Sequence, residues 1–252
     1  MNVLRRVAAL MRRELASYFF SPLAWVVLTL FLLVQGYSFY IYVQLVNRPD
    51  GPHGAVMQYF FGGTFLYWLF VIFIVSVITM RLVAEERRSG TVESLMTAPV
   101  SEAEVVLGKY LAALLFYAFL WLPTLVYVVI VASLVSPVQL GWGPVVAGYL
   151  GTIGVGSACI AVGLLASVLC RNQIVAAVLS FTILSLLLLL GALELFVTRP
   201  LLRSLLEQVN LFEQMDEFAR GIVDSRRLVL YLSLVVFCLA AATKALEAKK
   251  WR

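Results

Sequence analysis

The chain has 252 residues, of which 62% are hydrophobic and only 13% charged, and its formal net charge is +5. That balance excludes an ordinary soluble domain, which is about half apolar and about one quarter charged, and points to an integral membrane protein. Cys159, Cys170 and Cys238 lie in or beside apolar stretches, an odd set with no disulfide framework, and read as small packing residues.

Residues 1–20 read as an amphipathic helix lying in the membrane interface. Leu4, Val7, Ala8, Met11 and Leu15 share one face, and Arg5, Arg6, Arg12 and Arg13 share the other, toward anionic headgroups. The arginines adjoin a span and have no aromatic stacking platform, so their partner is the lipid bilayer and not nucleic acid. A cleavable signal peptide is not expected, because no apolar core and small-residue cleavage site follow the basic residues. Ser21-Pro22 turns the chain into a first span at about residues 23–46, since a span takes ~20 apolar residues. NRPDGPH is a turn-rich loop, and a second span follows at about residues 59–83.

The densest charge lies in the next stretch, and residues 84–101 read as a cytosolic segment between two spans. Glu86, Arg87 and Arg88 end the second span, and Ser89-Gly90 breaks the helix, since Gly costs about 1 kcal/mol in a helix interior. Thr91 can cap a new short helix, whose Val92, Leu95 and Met96 share one apolar face beside Glu93 and Thr97. Pro99 ends it, and Ser101 with Glu104 forms the S-x-x-E pattern of a capping box. Such a separately capped helix suits docking to a partner; a polar loop resting on headgroups is the competing reading.

The third span is expected at about residues 102–135, with Pro123 as a hinge or a static bend. After a tight turn comes the fourth, at about residues 145–169, where Gly148, Gly151, Gly154, Gly156 and Ala158 form a thin side suited to helix packing. The fifth is expected at about residues 174–197. It carries Glu194, a carboxylate at membrane depth that is either functional or paired with Arg199 or Arg203 at the interface. Residues 198–227 read as two extracytoplasmic amphipathic helices that lie in or dip into the outer leaflet. The sixth span, at about residues 228–246, is short enough that Lys244 snorkels to the inner surface.

Thirteen of the 19 basic residues fall on one side of this arrangement: Arg5, Arg6, Arg12, Arg13, Arg81, Arg87, Arg88, Lys109, Arg171, Lys244, Lys249, Lys250 and Arg252. The positive-inside rule then makes both termini and residues 84–101 cytoplasmic.

No phosphate-cradling G-x-x-x-x-G-K-[ST] loop occurs, and the single histidine, His53, cannot build a histidine zinc site. Nucleophile-elbow and H-E-x-x-H patterns are missing as well, so no catalytic residues and no metal ligands are assigned. Two classes remain open: the membrane subunit of an ATP-driven transporter, or an ion-coupled secondary transporter or channel built around Glu194.

Residues 85–101 (E-E-R-R-S-G-T-V-E-S-L-M-T-A-P-V-S) and 105–112 (V-V-L-G-K-Y-L-A) resemble the coupling segment of ABC-2 type transporter permeases. R-R-E-L-A-S-Y-F-F-S-P-L-A-W-V-V near the N-terminus and F-A-R-G-I-V-D-S-R-R-L-V-L-Y-L-S-L near the C-terminus resemble the gliding-motility (GldF-type) and NosY-like branch. The resemblance runs through the chain in order. It implies an all-α integral membrane protein of type V exporter kind: one domain over residues 1–252, six spans, an interfacial helix and a coupling helix. It also implies a bacterial inner-membrane location, a second permease copy in a homo- or heterodimer, and a separate cytosolic ABC ATPase holding ATP and Mg. An auxiliary membrane protein with a large extracytoplasmic domain is implied by the branch. On this resemblance Glu86, Arg87, Arg88, Gly90, Thr91, Val92, Glu93, Leu95, Met96 and Thr97 meet the ATPase, and Glu194, Arg199 and Arg203 belong to a pathway or outer gate.

Overall fold

In the computed structural model the described residues are 3–46, 60–62, 64–88, 101–134, 141–197 and 199–250. Nearly all of them are helical, and no strand occurs among them. The helices are α1 (Val3–Phe20), α2 (Pro22–Val46), α3 (Phe65–Met80), the short α4 (Ala84–Arg88), α5 (Glu102–Trp121) and α6 (Leu125–Leu134). They continue with α7 (Trp142–Leu169), α8 (Gln173–Ala192), α9 (Pro200–Val209), α10 (Leu211–Ala219) and α11 (Ser225–Lys250). Among the described residues, six stretches are long and apolar enough to cross a membrane: Pro22–Leu45, Phe65–Arg87, Glu102–Ser133, Trp142–Leu169, Gln173–Ala192 and Ser225–Ala248. The protein is therefore an all-α multi-pass membrane protein. The end of the bundle carrying α1 is called the near end below, and the opposite end the far end.

α7 is the central helix, and its packing explains the glycines. Phe61 fills the space beside Gly148, Phe218 that beside Gly151, Tyr117 that beside Gly156, and Thr79 that beside Gly163. Each missing side chain is replaced by a knob from a different element, which is how helices approach closely where apolar burial gives no drive. Tyr67 and Tyr117 reach the same point of α7, Thr152, through its hydroxyl at 3.0 Å and its carbonyl at 3.4 Å. Their hydroxyls therefore satisfy buried polar groups inside the bundle.

The third span is broken as the ring of Pro123 requires. A 3-10 turn, Leu122–Thr124, separates α5 from α6. Thr124 Oγ1 donates to the Trp121 carbonyl at 2.6 Å and meets the Tyr149 hydroxyl at 2.8 Å, so polar groups at the break have local partners.

Two sequence expectations change in the structure. α1 keeps Arg5, Arg12 and Arg13 exposed and Val7, Ala8, Met11 and Leu15 partly buried, but two residues leave that division. Leu4 is 81% exposed, while Arg6 turns inward and pairs with Glu104 of α5 at 3.2 Å. The side of α1 that meets the bundle is set by its tight packing along α5, with Tyr18 stacked on Phe116 at 4.9 Å between ring centres. The second change is at the far end. α10 does not simply lie on a leaflet: Gln214, Met215, Phe218 and Ala219 are buried, and Met215 lies against Gly62, whose positive φ of 78° suits glycine. α10 is a plug seated in the far end of the bundle.

Candidate functional site

The charged groups at the near end converge on the two stems of the connection between the second and third spans. α3 ends in a turn at residues 81–83 and continues as α4. Ser167 of α7 holds this turn: its Oγ accepts from the Val83 and Ala84 N–H groups, both at 3.2 Å, and donates to the Met80 carbonyl at 3.3 Å. Orphan backbone groups at a helix end need such partners when buried. Arg81 donates to Glu85 Oε2 at 2.7 Å and to Ser21 Oγ at 2.6 Å, which ties the stem to the bend between α1 and α2.

On the other stem, α5 starts with a reciprocal capping box. Glu104 N–H donates to Ser101 Oγ at 3.3 Å, and Ser101 N–H donates to Glu104 Oε2 at 2.9 Å. The remaining carboxylate oxygen of Glu104 takes Arg6. One turn on, Lys109 is only 2% exposed, and its Nζ donates to Glu86 Oε1 at 2.8 Å and Glu14 Oε1 at 2.9 Å. A buried ammonium needs such pairing, because desolvation of a lone charge is prohibitive. Three elements, α1, α4 and α5, thus meet at one side chain. Tyr18 reinforces the joint by donating to the Ile78 carbonyl at 2.7 Å, and burial raises its phenol above the usual range, with the Glu14 charge adding to the shift.

Of the sequence-assigned docking residues, Glu86 is thus engaged by Lys109, and Arg87 is half-buried at the end of α4. The Arg88 side chain and residues 89–100 lie outside the described residues, and with them the expectations for Gly90, Thr91, Val92, Glu93, Leu95, Met96 and Thr97. Glu14 and Lys109 were missed as partners. The available signal was a lysine inside an otherwise apolar helical run, which demands a counter-charge, but nothing local says which one.

At the far end, α8 stops at Ala192, and Glu194 sits in a following 3-10 turn, Leu193–Phe196, beyond the apolar stretch of the fifth span. Its carboxylate accepts from Asn210 Nδ2 at 2.8 Å and faces Arg203 Nε at 3.6 Å. Asn210 also caps α10 through Oδ1, so Glu194 braces the hinge between α9 and α10. Arg199 is exposed at the start of α9 and is not part of this pair. Among the described residues no cluster of three or more His, Cys, Asp or Glu side chains could hold a metal ion.

A bundle of six apolar spans, with the ion pairs among its described residues confined to the two ends, defines a polytopic membrane component. The chain belongs to the ABC-2 transporter family: the profile described as ABC-2 family transporter protein matches residues 20–203. A comparison with curated proteins finds no match.

Proposed function

We propose that this chain is the permease subunit of an ATP-binding cassette transporter and that residues 84–101 couple it to a separate cytosolic ATPase carrying ATP and Mg. The observation that carries the reading is the joint at Lys109. It joins both stems of the connection to α1, so a displacement of the connection moves α1 and α5 together instead of bending one loop. Family membership supports the same reading. Val92, Leu95 and Met96 form the apolar face that enters the ATPase, with Arg87, Arg88 and Glu93 setting register.

The whole chain acts as one membrane domain in the bacterial inner membrane, with both termini cytoplasmic. It pairs with a second permease copy, identical or related. The apolar faces left open on α2 (Trp25, Val26, Leu33, Tyr37) and α8 (Val178, Leu186, Leu189) suit that interface. The sequence likeness to the GldF-type and NosY-like branch supports export or mechanical work on an extracytoplasmic auxiliary protein. An ion-coupled cycle has less support, because Glu194 follows the end of α8 and is held there by Asn210 and Arg203.

The test is co-purification from native membranes in mild detergent, with vanadate-sensitive ATP hydrolysis as the second readout. The wild-type chain is expected to bring down a soluble ATPase. Changing Val92, Leu95 and Met96 together to Asp is expected to leave insertion intact and abolish that association. Retained association, or a wild-type chain that purifies without an ATPase, overturns the proposal.

A further inference from the structure

A second feature lies on the opposite half of the molecule. Between α8 and α11 a lateral crevice of about 510 Å3 runs from beneath α10 toward the middle of the bundle. Its floor is Val155, Cys159 and Val162 of α7 with Trp68 of α3, all buried. α8 and α11 form the two lips, and Ser233, Leu234 and Phe237 stand at the mouth on α11. Phe237 is 68% exposed, on the surface that the sixth span offers to hydrocarbon.

We propose that this crevice binds one acyl chain of a bilayer phospholipid, with the lipid phosphate at Arg226. Three observations select that occupant. The mouth is continuous with the exposed apolar surface of α11 (Val229, Leu232, Val236, Phe237), so hydrocarbon is the medium at its entrance. The polar groups of the roof are already satisfied: Tyr231 donates to Gln214 Oε1 and Gln214 Nε2 donates to the Gln208 carbonyl, both at 2.7 Å. The walls therefore ask for an apolar guest. Charge supplies the last point. Arg226 is exposed and precedes Ser233 by two helical turns, which puts both on one stripe of α11, about 10 Å apart along its axis. A phosphate at Arg226 sends its chain down that stripe into the mouth.

The inference is independent of the ATPase reading. It is tested with the full chain in nanodiscs containing phosphatidylglycerol that carries a diazirine near the end of one acyl chain. After irradiation, labelled peptides are mapped by mass spectrometry. Label is expected on Val155, Cys159 and Val162, which are buried, as well as on the open faces of Val126 on α6 and Val229 on α11. Ala158→Phe narrows the floor and Ser233→Trp blocks the mouth from an exposed position that folding tolerates. Each is expected to cut floor labelling severalfold while Val126 and Val229 are labelled as before, and Arg226→Glu is expected to lower floor labelling too. Label confined to the open faces of the wild type overturns the site. So does floor labelling that Ser233→Trp leaves unchanged in a protein that melts and elutes like wild type. Floor labelling indifferent to Arg226→Glu overturns the headgroup assignment.

Discussion

Lys109 Nζ donates to Glu14 Oε1 at 2.9 Å, joining residues 95 positions apart across the near end of the bundle. With Glu86 on its other side, the ammonium holds two carboxylates that would otherwise repel each other in a water-poor joint. Lys109→Met is therefore expected to destabilise the protein by about 3–5 kcal/mol, the usual cost of removing one partner of a buried ion pair. Adding Glu14→Gln and Glu86→Gln to that variant is expected to recover much of the loss, because no uncompensated charge then remains. Thermal unfolding in detergent, followed by intrinsic fluorescence, reads both. A Lys109→Met protein with an unchanged midpoint would mean that packing alone holds the joint.

The central helix α7 makes a contrasting prediction. A Cβ on Gly156 would lie 2.2 Å from Tyr117 Cε1, and one on Gly163 would lie 2.3 Å from Thr79 Oγ1. Tyr117 and Thr79 are themselves buried, so neither can swing away freely. Gly156→Ala and Gly163→Ala are each expected to cost about 1–3 kcal/mol through overpacking. Gly143, near the start of the same helix, has nothing within 4 Å of its Cβ position. Gly143→Ala is expected to be neutral or to stabilise by up to about 1 kcal/mol, since it only removes backbone freedom. Equal melting points for the three variants would count against the close-packed stripe.

What the sequence disclosed and what it hid follow the range of the interactions. The spans and the break at Pro123 are written in local composition and ring geometry, and the glycine stripe announced a close helix contact. The identities of the knobs did not appear, because Phe61, Tyr117, Thr79 and Phe218 come from four separate stretches. Arg6 was assigned to headgroups because its helix is amphipathic, yet its partner Glu104 lies on another helix. For Glu194 the sequence left two readings open, functional at membrane depth or paired with Arg199 or Arg203, and the structure shows the pairing with Arg203, a choice that depends on how α9 folds back toward the end of α8. The seating of α10 depends on Met215 meeting Gly62, a contact that no periodicity within the helix could reveal.

Ser101 and Glu104 show how a local motif can carry a long-range duty. Ser101→Ala removes one cap bond and is expected to cost about 1 kcal/mol. Glu104→Ala removes the reciprocal bond and also the carboxylate that Arg6 uses at 3.2 Å, in a site where Glu104 is buried. It is expected to cost clearly more than Ser101→Ala, and Arg6→Ala should show a non-additive coupling with it in a double-mutant cycle. Equal costs for Ser101→Ala and Glu104→Ala, with additive behaviour toward Arg6, would reduce the pair to an isolated helix cap.

The far end supplies a pH-dependent prediction through Glu213 in the first turn of α10. Its carboxyl is raised above the ordinary value, first by partial desolvation against the bundle and then by the charge of Glu194, with Glu217 and Glu207 adding and Arg227 opposing. A carboxyl that is raised in the folded state favours folding when protonated. That contribution is complete below the unfolded value of about 4.3 and is lost as pH rises through the higher folded value. Glu213→Gln mimics the protonated form at every pH. At neutral pH the variant is expected to melt above wild type, and the gap should close as pH falls into the ordinary carboxylate range. The side chain lies on the exposed side of α10, so solvent screening keeps the difference small and 1 M salt should shrink it further. A variant that melts below wild type at neutral pH would reverse the sign and mean that the ionised carboxylate is stabilised at the start of α10, with the helix N-terminus outweighing its acidic neighbours.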